Sequence, residues 1–411
     1  MKNELEQLMK SNGIAAILIT GAADHNPAMT YFTGHVHVSH GDLVIKPGEK
    51  PILFHDPMER EEAAKTGCVL KSYLNHPYAE LVKETNGDKS KMDARKFAHV
   101  LEDCGVTSGK VVLYGQSDAG KAYSAIKGVI EYLPDVEFQA DWDENLLYKA
   151  MTTKDENELN QIRDMGRVTT DVVGRVADFL SQQKSKGNQL VKKSGEPVTI
   201  GEVKNMINLW LAEGGAENPE ATIFSLGRDA GIPHSTGTNS EGLRLGETIV
   251  FDIFPCQFGG GFFYDFTRTW CLGYAPDNVV KLYDDVKKVY DTVVSELKPN
   301  TLCNSYQKRT CELYENMGHP TMRTHKNTEV GYNHSIGHGV GLRIHEKPWF
   351  GDKADETDVL KPGSVFTIEP GLYYPDKGMG VRIEDTYCVN HKNQIELMAE
   401  YPYDLVLPIR S

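Results

Sequence analysis

The chain has 411 residues and a formal net charge of −14, with 40% hydrophobic and 25% charged residues. This length allows two or three domains, and the composition is typical of a globular protein with an ordinary hydrophobic core. The acidic excess argues against a nucleic-acid partner, which needs a surplus of Lys and Arg, and against binding to an anionic membrane.

The N-terminal residues and the cysteines indicate a cellular compartment. The first residues (MKNELEQL) contain acidic side chains and no apolar core, so they do not resemble a secretory signal. No apolar run approaches the roughly 18 residues that a membrane span needs. The seven cysteines are scattered and include no CxxC pair, which predicts free thiols in a reducing compartment. We therefore predict a cytoplasmic protein.

The first third of the chain alternates strand and helix patterns. Such alternation predicts an α/β domain, which we place at residues 1–150. The predicted strands cover residues 14–20 (IAAILIT), 42–45, 51–54 and 110–114, and the predicted helices cover residues 3–12 and 121–132.

A domain boundary is predicted near residues 145–154, before a second domain at residues 151–411. Thr153 and Glu156 have the spacing of a helical capping box, and apolar residues then recur at helical spacing up to Phe179. The strand patterns between and after the helices make this second domain α+β. Two further helices are predicted from Thr199 and over residues 279–297, and an exposed loop over residues 182–197.

Two aspartates interrupt apolar strand patterns. Asp252 lies within residues 247–254 (ETIVFDIF), and Asp265 lies within residues 262–270 (FFYDFTRTW). A carboxylate buried in a strand without a partner costs several kcal/mol or more, on the order of the transfer penalty for a buried charge. The two residues are 13 positions apart, with a turn at residues 259–261 between them. A hairpin of this length can bring both carboxylates to one face.

Further polar residues lie in or beside apolar or glycine-rich segments in the last quarter of the chain. Glu369 ends the apolar run 364–368 (SVFTI), and Glu384 lies in the alternating run 380–385 (GVRIED), where Arg382 faces the same side. His338 stands in the glycine-rich segment 337–341 (GHGVG), which permits close backbone approach. Each residue alone is best explained as an ordinary bulge, edge or turn residue. As a set, they are candidates for one site.

Four clustered carboxylates and an imidazole would require cations. Like charges at short range cannot all remain ionised, and two divalent ions would balance the four negative charges. Oxygen-rich ligation with one imidazole suits Mn²⁺ best, while Fe²⁺, Co²⁺ and Zn²⁺ are alternatives. Two ions about 3.5–4 Å apart can activate a water molecule and polarise a carbonyl group.

These residues resemble the motifs of the pita-bread metallopeptidases, which include Xaa-Pro aminopeptidases, Xaa-Pro dipeptidases and methionine aminopeptidases. The resemblance covers roughly residues 155–411, and residues 31–34 (YFTG) and 51–54 (PILF) resemble the creatinase-type N-terminal domain of the same proteins. It implies an α/β N-terminal domain followed by an α+β catalytic domain of the pita-bread fold. The matching segments are Asp252, residues 265–269 (DFTRT), 334–342 (HSIGHGVGL), 345–346 (HE), 367–372 (TIEPGL) and 381–385 (VRIED).

The resemblance also implies roles for individual residues. Glu369 matches the general base that acts on the attacking water, and His234 matches a histidine that assists proton transfer and contacts the substrate. His334 and His345 match a histidine pair beside the metals and the substrate, and Arg382 matches an arginine that orients carboxylates. The residues that match the five metal ligands are Asp252, Asp265, His338, Glu369 and Glu384.

Two departures from the family pattern bear on the substrate. The spacing between Asp252 and Asp265 is longer than is common in the family, and the extra residues at 256–263 are expected to reshape one wall of the site. Several dipeptidases of the family carry an Arg that holds the dipeptide carboxylate, but residues 347–367 contain none. Trp349 and Phe350 stand there instead, although Lys347 or Lys353 could replace the missing Arg.

The resemblance therefore implies a homodimeric peptidase that acts on proline-containing peptides and removes the residue before proline. A Xaa-Pro dipeptidase is the first alternative. A lyase or hydrolase acting on a non-peptide substrate at the same metals, or a non-catalytic binding module, are the others. His35 and His37 share a predicted strand face, for which an exposed polar edge is favoured over a separate metal site.

Overall fold

The computed structural model describes residues 3–351 and 354–409. The described chain divides into two compact units. One runs up to Met151 and includes Gly259–Gly261, and the other comprises the remaining residues from Thr152 onwards.

The first unit is a six-stranded mixed sheet with helices. Its strands are β1 (Ile14–Gly21), β2 (Gly41–Ile45), β3 (Ile52–His55), β4 (Val69–Ser72), β5 (Gly109–Gly115) and β6 (Val136–Ala140). Its helices are α1 (Asn3–Ser11), α2 (Pro27–Thr33), α3 (Arg60–Ala64), α4 (Tyr78–Glu84), α5 (Lys89–Asp103), α6 (Ala119–Val129) and α7 (Leu147–Met151).

The strand order β4-β3-β2-β1-β5-β6 explains the composition of β1. Strand β1 lies inside the sheet, antiparallel to β2 and parallel to β5, and nearly all its residues are buried. A strand covered on both faces needs a continuous apolar run, which is what residues 14–20 supply. The α/β prediction is confirmed. The strand prediction for His35 and His37 is wrong, because residues 35–38 lie outside any strand and His37 contacts Asp24.

The second unit contains four long helices and many short strands. The helices are α8 (Glu156–Ser181), α9 (Ile200–Glu213), α10 (Asp277–Glu296) and α11 (Asn304–Asn316). The strands are β7 (Lys184–Lys186), β8 (Gln189–Val191), β9 (Ala216–Glu217), β10 (Ile223–Leu226), β11 (Thr248–Ile253), β12 (Cys256–Gln257), β13 (Phe266–Leu272), β14 (His338–Gly339), β15 (Glu346–Trp349), β16 (Val365–Ile368), β17 (Gly371–Tyr374), β18 (Met379–Arg382), β19 (Asp385–Val389), β20 (Ile395–Leu397) and β21 (Val406–Leu407).

Two sheets organise this unit. One has four strands in the order β10-β11-β13-β21, and the other has five in the order β15-β14-β16-β19-β20. One buried apolar cluster of this unit combines residues of α10 and α11 with residues of the second sheet and of β17 and β18. Apolar positions of α8 such as Leu159, Ile162 and Val176 are fully buried, as their helical spacing predicted. The α+β prediction is therefore confirmed.

Helix α8 begins two residues later than the capping box predicted at Thr153. The N-cap is Asp155, whose carboxylate accepts from the Glu158 amide while the Glu158 side chain accepts from the Asp155 amide. Thr153 instead forms a β-bridge with Ser364, and the Lys154 amide donates to Gly363 O at 2.8 Å. Pairing with this segment keeps the chain extended through residue 154, so the helix can start only afterwards.

Two other predicted segments differ from the structure. Residues 182–197 contain the β7–β8 hairpin, with Gly187 at φ +62° in its turn, rather than a loop alone. The strand predicted over residues 380–385 is divided into β18 and β19. It is divided because β18 pairs with β17 while β19 pairs with β16, and the chain changes partner at Ile383 and Glu384.

All seven cysteines are free thiols, as predicted from their spacing. Six of them are buried. Across residues 3–351 and 354–409, no helix has both the length and the apolar composition needed to cross a bilayer.

Candidate active site

The two aspartates are placed by one antiparallel strand pair. Strand β11 pairs with β13, which sets Asp252 opposite Thr267. Asp265 directly precedes Phe266, the first residue of β13, so the predicted strand at residues 262–270 begins later than expected. Both carboxylates therefore lie near the same end of this strand pair.

The two glutamates are placed by the other sheet. Strand β16 pairs antiparallel with β19, with Ile368 opposite Asp385. Glu369 follows the end of β16 and Glu384 precedes the start of β19, so the pairing brings them to one edge. A β-bridge between Thr267 and Glu384 links this edge to the strand pair that carries the aspartates.

The five predicted ligands converge in one cavity of about 490 Å³ within the second unit. Asp265, His338 and Glu384 each present a ligand atom within 4.8 Å of the others. His338 Nε2 lies 3.5 Å from Asp265 Oδ2 and 3.5 Å from Glu369 Oε1. Asp252 lines the same cavity, and its Oδ2 accepts from Arg382 Nη2 at 2.5 Å.

The positive charges near this cluster do not balance the negative charges of its carboxylates, and the pKa values of three carboxyl groups are raised. Burial raises the pKa of Asp252 to about 6, with a further increase from Asp265. Burial raises the pKa of Glu369 to about 7 against the opposing effects of His338 and Arg382. The pKa of Glu384 is raised well above its usual value by burial and by the neighbouring carboxylates. The cluster can be fully ionised near neutral pH only with additional cations.

Unpaired oxygen atoms show that the cluster fits metal ions. Asp252 Oδ1, Asp265 Oδ1 and Glu384 Oε1 are buried and have no hydrogen-bond donor among the described residues. Buried carboxylate oxygens normally have partners, and a divalent cation would supply one here. The donor set of four carboxylates and one imidazole suits Mn²⁺ and related ions.

His338 is held in the tautomer that a metal ligand needs. Its Nδ1 lies 3.1 Å from Gly339 O, so Nδ1 carries the proton and donates to that carbonyl. Nε2 faces Asp265 and Glu369, which against the effect of burial raise the pKa of this imidazole to about 9, so a cation that binds there displaces a proton. The backbone amide of His338 donates to Thr367 Oγ1 at 3.2 Å, which ties this segment to β16.

Tyr373 connects Arg382 to His334 and was not singled out in the sequence. Its hydroxyl accepts from Arg382 Nη1 at 2.6 Å and lies 2.9 Å from His334 Nε2. Burial, and then the charge of Arg382, lower the pKa of His334 to about 3, so this imidazole is neutral. In the sequence, only its position could have indicated a role for Tyr373, because it lies four residues after Glu369 in a strand that follows a turn.

The other two predicted histidines line the same cavity. The His345 ring centroid is 4.3 Å from that of His338. His234 lies on the wall beside Pro233, and burial followed by Arg382 lowers the pKa of its imidazole. The structure thus brings together all nine residues that the sequence singled out for catalysis or metal binding.

The two departures from the family pattern have different outcomes. Phe254 and Asp265 line the cavity, but no described residue between them does, so the expected effect of residues 256–263 on the wall is wrong. Lys347 is buried and pairs with Asp355 at 3.0 Å and Asp358 at 3.5 Å, so it is not available to a substrate carboxylate. Lys353 lies outside the described residues.

Comparison with known proteins identifies the family. Residues 160–391 match the model for metallopeptidase family M24, which is more than half of the chain. The chain belongs to metallopeptidase family M24. Residues 2–127 match the creatinase/prolidase N-terminal domain. As an M24 protein the chain is a peptidase, and therefore a hydrolase that works with divalent metal ions.

Several M24 relatives match the whole chain. The Xaa-Pro dipeptidase of Pyrococcus horikoshii is 25% identical over 410 residues, covering 97% of each chain. The crystal structure of a dipeptidase from the same organism superposes with a TM-score of 0.74 at 21% identity, covering 98% of each chain. The X-Pro aminopeptidase of Thermotoga maritima superposes with a TM-score of 0.73 at 20% identity, covering 98% of this chain and 100% of the other. These likenesses confirm the creatinase-type and pita-bread folds.

We expect removal of metal to destabilise the protein more at pH 8 than at pH 5. The pKa values of Glu369 and Asp252, about 7 and about 6, lie above their unfolded values of about 4.3 and 3.9. The metal-free fold therefore loses stability as the pH rises through 6 and 7. Metal binding needs ionised ligands, so its stabilising effect grows over the same range.

The measurement is the Tm of Mn²⁺-loaded and EDTA-treated protein from pH 5 to pH 8. The gap between the two should widen with pH and should widen less in the Asp252→Asn variant. A gap that stays constant over this range would contradict the prediction.

Proposed function

We propose that the protein is an aminopeptidase that hydrolyses the Xaa-Pro bond at the N-terminus of peptides, using two divalent metal ions, Mn²⁺ in the first instance. The observation that carries this proposal is the convergence of four buried carboxylates and His338 in one cavity of an M24 fold. The proposed ligands are Asp252, Asp265, His338, Glu369 and Glu384.

The residues of the cavity have complementary roles in this reaction. Bound metal ions would polarise the scissile carbonyl and make a water molecule more acidic. Glu369, which lines the cavity beside the other proposed ligands, accepts the proton of the attacking water. Arg382 holds Asp252 in place, and Tyr373 keeps His334 and Arg382 together. His345 and His234 lie where an imidazole can contact the substrate and protonate the departing nitrogen.

The specificity for proline rests on the relatives and on the cavity wall. The relatives named Xaa-Pro dipeptidase in two Pyrococcus species match 97% and 47% of this chain. Apolar side chains suited to a pyrrolidine ring line the cavity. They are Ile223, Phe254, Met322, Ile344, Trp349 and Phe350.

The charge of the wall favours peptides longer than two residues. Among the described residues that line the cavity, Arg382 is the only Lys or Arg, and it already bonds to Asp252, Tyr373 and Pro233 O. A dipeptide would need a cation for its C-terminal carboxylate, whereas a longer peptide carries that charge away from the site.

The second candidate is a Xaa-Pro dipeptidase, which the names of the relatives favour. The imidazoles of His234 and His345 are the groups that could bind a dipeptide carboxylate. The homodimer and the cytoplasmic location remain predictions from the family resemblance and from the composition.

A matched peptide series separates the two candidates. With Mn²⁺-loaded protein we expect kcat/KM for Ala-Pro-Ala to exceed that for Ala-Pro by at least about tenfold, since an unpaired buried charge costs more than about 1.4 kcal/mol. Ala-Ala-Ala is the control for proline. Faster cleavage of Ala-Pro would establish the dipeptidase, and equal cleavage of Ala-Ala-Ala would refute the proline specificity.

A further inference from the structure

A buried ion pair in the second unit has no place in the proposed chemistry. Lys154 and Glu346 are 3% and 2% exposed, and Lys154 Nζ donates to Glu346 Oε1. Lys154 Nζ also donates to Thr152 O at 3.3 Å. Neither residue lines the candidate cavity.

Glu346 fills the interior of the turn that carries His345. It is the first residue of β15, opposite Gly339 of β14, so its carboxylate lies inside the connection between the two strands. The Arg343 amide donates to Glu346 Oε2 at 3.4 Å. A Cβ atom at Gly341 would lie 2.4 Å from Glu346 Oε1, so only glycine allows the carboxylate to occupy this place.

Lys154 is itself fixed to the strand that leads to Glu369. Its amide donates to Gly363 O at 2.8 Å, and the preceding Thr153 forms a bridge with Ser364, next to the start of β16. The ion pair therefore connects the turn before β15 to the beginning of β16. At one end of this connection, His345 directly precedes Glu346. At the other end, Lys154 is bonded next to the start of β16, and Glu369 follows the end of that strand.

Stability alone does not explain such a pair. Taking two charges out of water offsets most of their attraction, and replacing both partners with apolar residues is often neutral or stabilising. A salt bridge buried this deeply is better explained by the geometry that it imposes on the turn.

We propose that the Lys154–Glu346 ion pair is a positioning element that holds the His345 imidazole beside His338 for contact with the substrate. The proposal rests on the proposed function, in which His345 faces the substrate. Without the pair the turn at residues 341–346 loses its internal anchor, and the ring of His345 no longer keeps its place 4.3 Å from that of His338.

The test compares Lys154→Met with the double variant Lys154→Met/Glu346→Leu. The single variant leaves the Glu346 carboxylate buried without a partner and should lower both Tm and kcat/KM. The double variant should regain the Tm of the wild type, yet its kcat/KM for Ala-Pro-Ala should stay between about tenfold and a hundredfold low, because misplaced groups cost that much in rate. A double variant with native Tm and native kcat/KM would overturn the proposal.

A mutant cycle that includes His345→Ala shows whether the ion pair changes kcat/KM by way of His345. Adding His345→Ala to the double variant should lower kcat/KM by less than about twofold, whereas full additivity would refute the link. If the double variant does not fold, Glu346→Asp replaces it, since it keeps both charges but moves the carboxylate. The kcat/KM of Glu346→Asp should fall with little change in Tm, and native kcat/KM would refute the proposal.

The control for these variants is Arg163→Met, which breaks the ion pair with Glu396 and should leave kcat/KM unchanged.

A second readout does not depend on activity. In Zn²⁺-loaded protein with labelled histidine, the His345 ring resonance, assigned by its loss in His345→Ala, should shift in the double variant and not in Arg163→Met. An unshifted resonance would refute the proposal. If the wild type cleaves none of the Xaa-Pro peptides, the proposed function fails while this measurement still decides the role of the ion pair.

Discussion

Replacing Glu369 with Gln is expected to lower kcat by at least about a thousandfold, within the range that general-base catalysis contributes. Glu369 Oε1 lies 3.5 Å from His338 Nε2, and Oε2 lies 3.7 Å from His334 Nδ1. Its carboxylate lines the cavity beside the other proposed ligands, where it can accept a proton from a water molecule. An amide of the same shape can neither accept that proton nor carry its charge.

The fold of Glu369→Gln should remain intact. Because burial disfavours the ionised carboxyl group, the metal-free variant at pH 8 should have a Tm no lower than that of the wild type. Glu312→Gln, which removes one side of an exposed ion pair with Arg323, is the control for kcat. Metal analysis of the purified variant separates loss of the base from loss of a ligand. Retention of more than a tenth of the wild-type kcat would refute the role of Glu369 as the base.

Removing the Asp385 carboxylate is expected to destabilise the second unit by about 3–5 kcal/mol, as for a buried ion pair that loses one partner. Arg268 and Asp385 are 1% and 0% exposed, and Arg268 Nη2 donates to Asp385 Oδ1 at 2.9 Å. Asp385 Oδ2 accepts from the hydroxyls of Tyr290 and Tyr403. Asp385→Ala would leave the guanidinium of Arg268 and two phenols without their common acceptor.

Thermal unfolding of metal-loaded protein measures this loss, which corresponds to a decrease in Tm of roughly 10 °C for a unit of this size. The control is Asp291→Ala, which breaks an ion pair with Lys287 on the surface of α10. Exposed pairs contribute about 0–1 kcal/mol, so its Tm should hardly change. Equal decreases in the two variants would contradict the structural role of the Arg268–Asp385 pair.

Strands β1, β2, β3 and β5 and the helix α8 were predictable because their burial leaves a simple pattern, whereas the less buried strands β4 and β6 were not predicted. The apolar run of β1 reflects a strand covered on both faces, and the spacing of Leu159, Ile162 and Val176 reflects a helix packed on one side. The start of α8 was not predictable from Thr153, since a bridge to the distant Ser364 prevents the helix from starting there. Local capping patterns compete with long-range pairing that the sequence does not display.

The candidate site divides in the same way. Asp252, Asp265, Glu369 and Glu384 stood out because a charge in or beside an apolar strand is costly, and His338 stood out in its glycine-rich segment. Tyr373 and Lys154 did not stand out, since a tyrosine in a strand or a charge near a turn is ordinary, and Glu346 belonged to a matching segment but was given no role. Their importance depends on which groups they contact across the fold.

The amino-acid sequence by itself determined the family, the two types of domain and the set of side chains able to bind cations, because these follow from residue type and order. Only the tertiary structure decided that the five candidate ligands share one cavity, that three of their oxygens lack donors among the described residues, and that Lys154 reaches Glu346. The physical reason is that strand pairing and burial join residues far apart in the chain, and the energy of a charge depends on those neighbours.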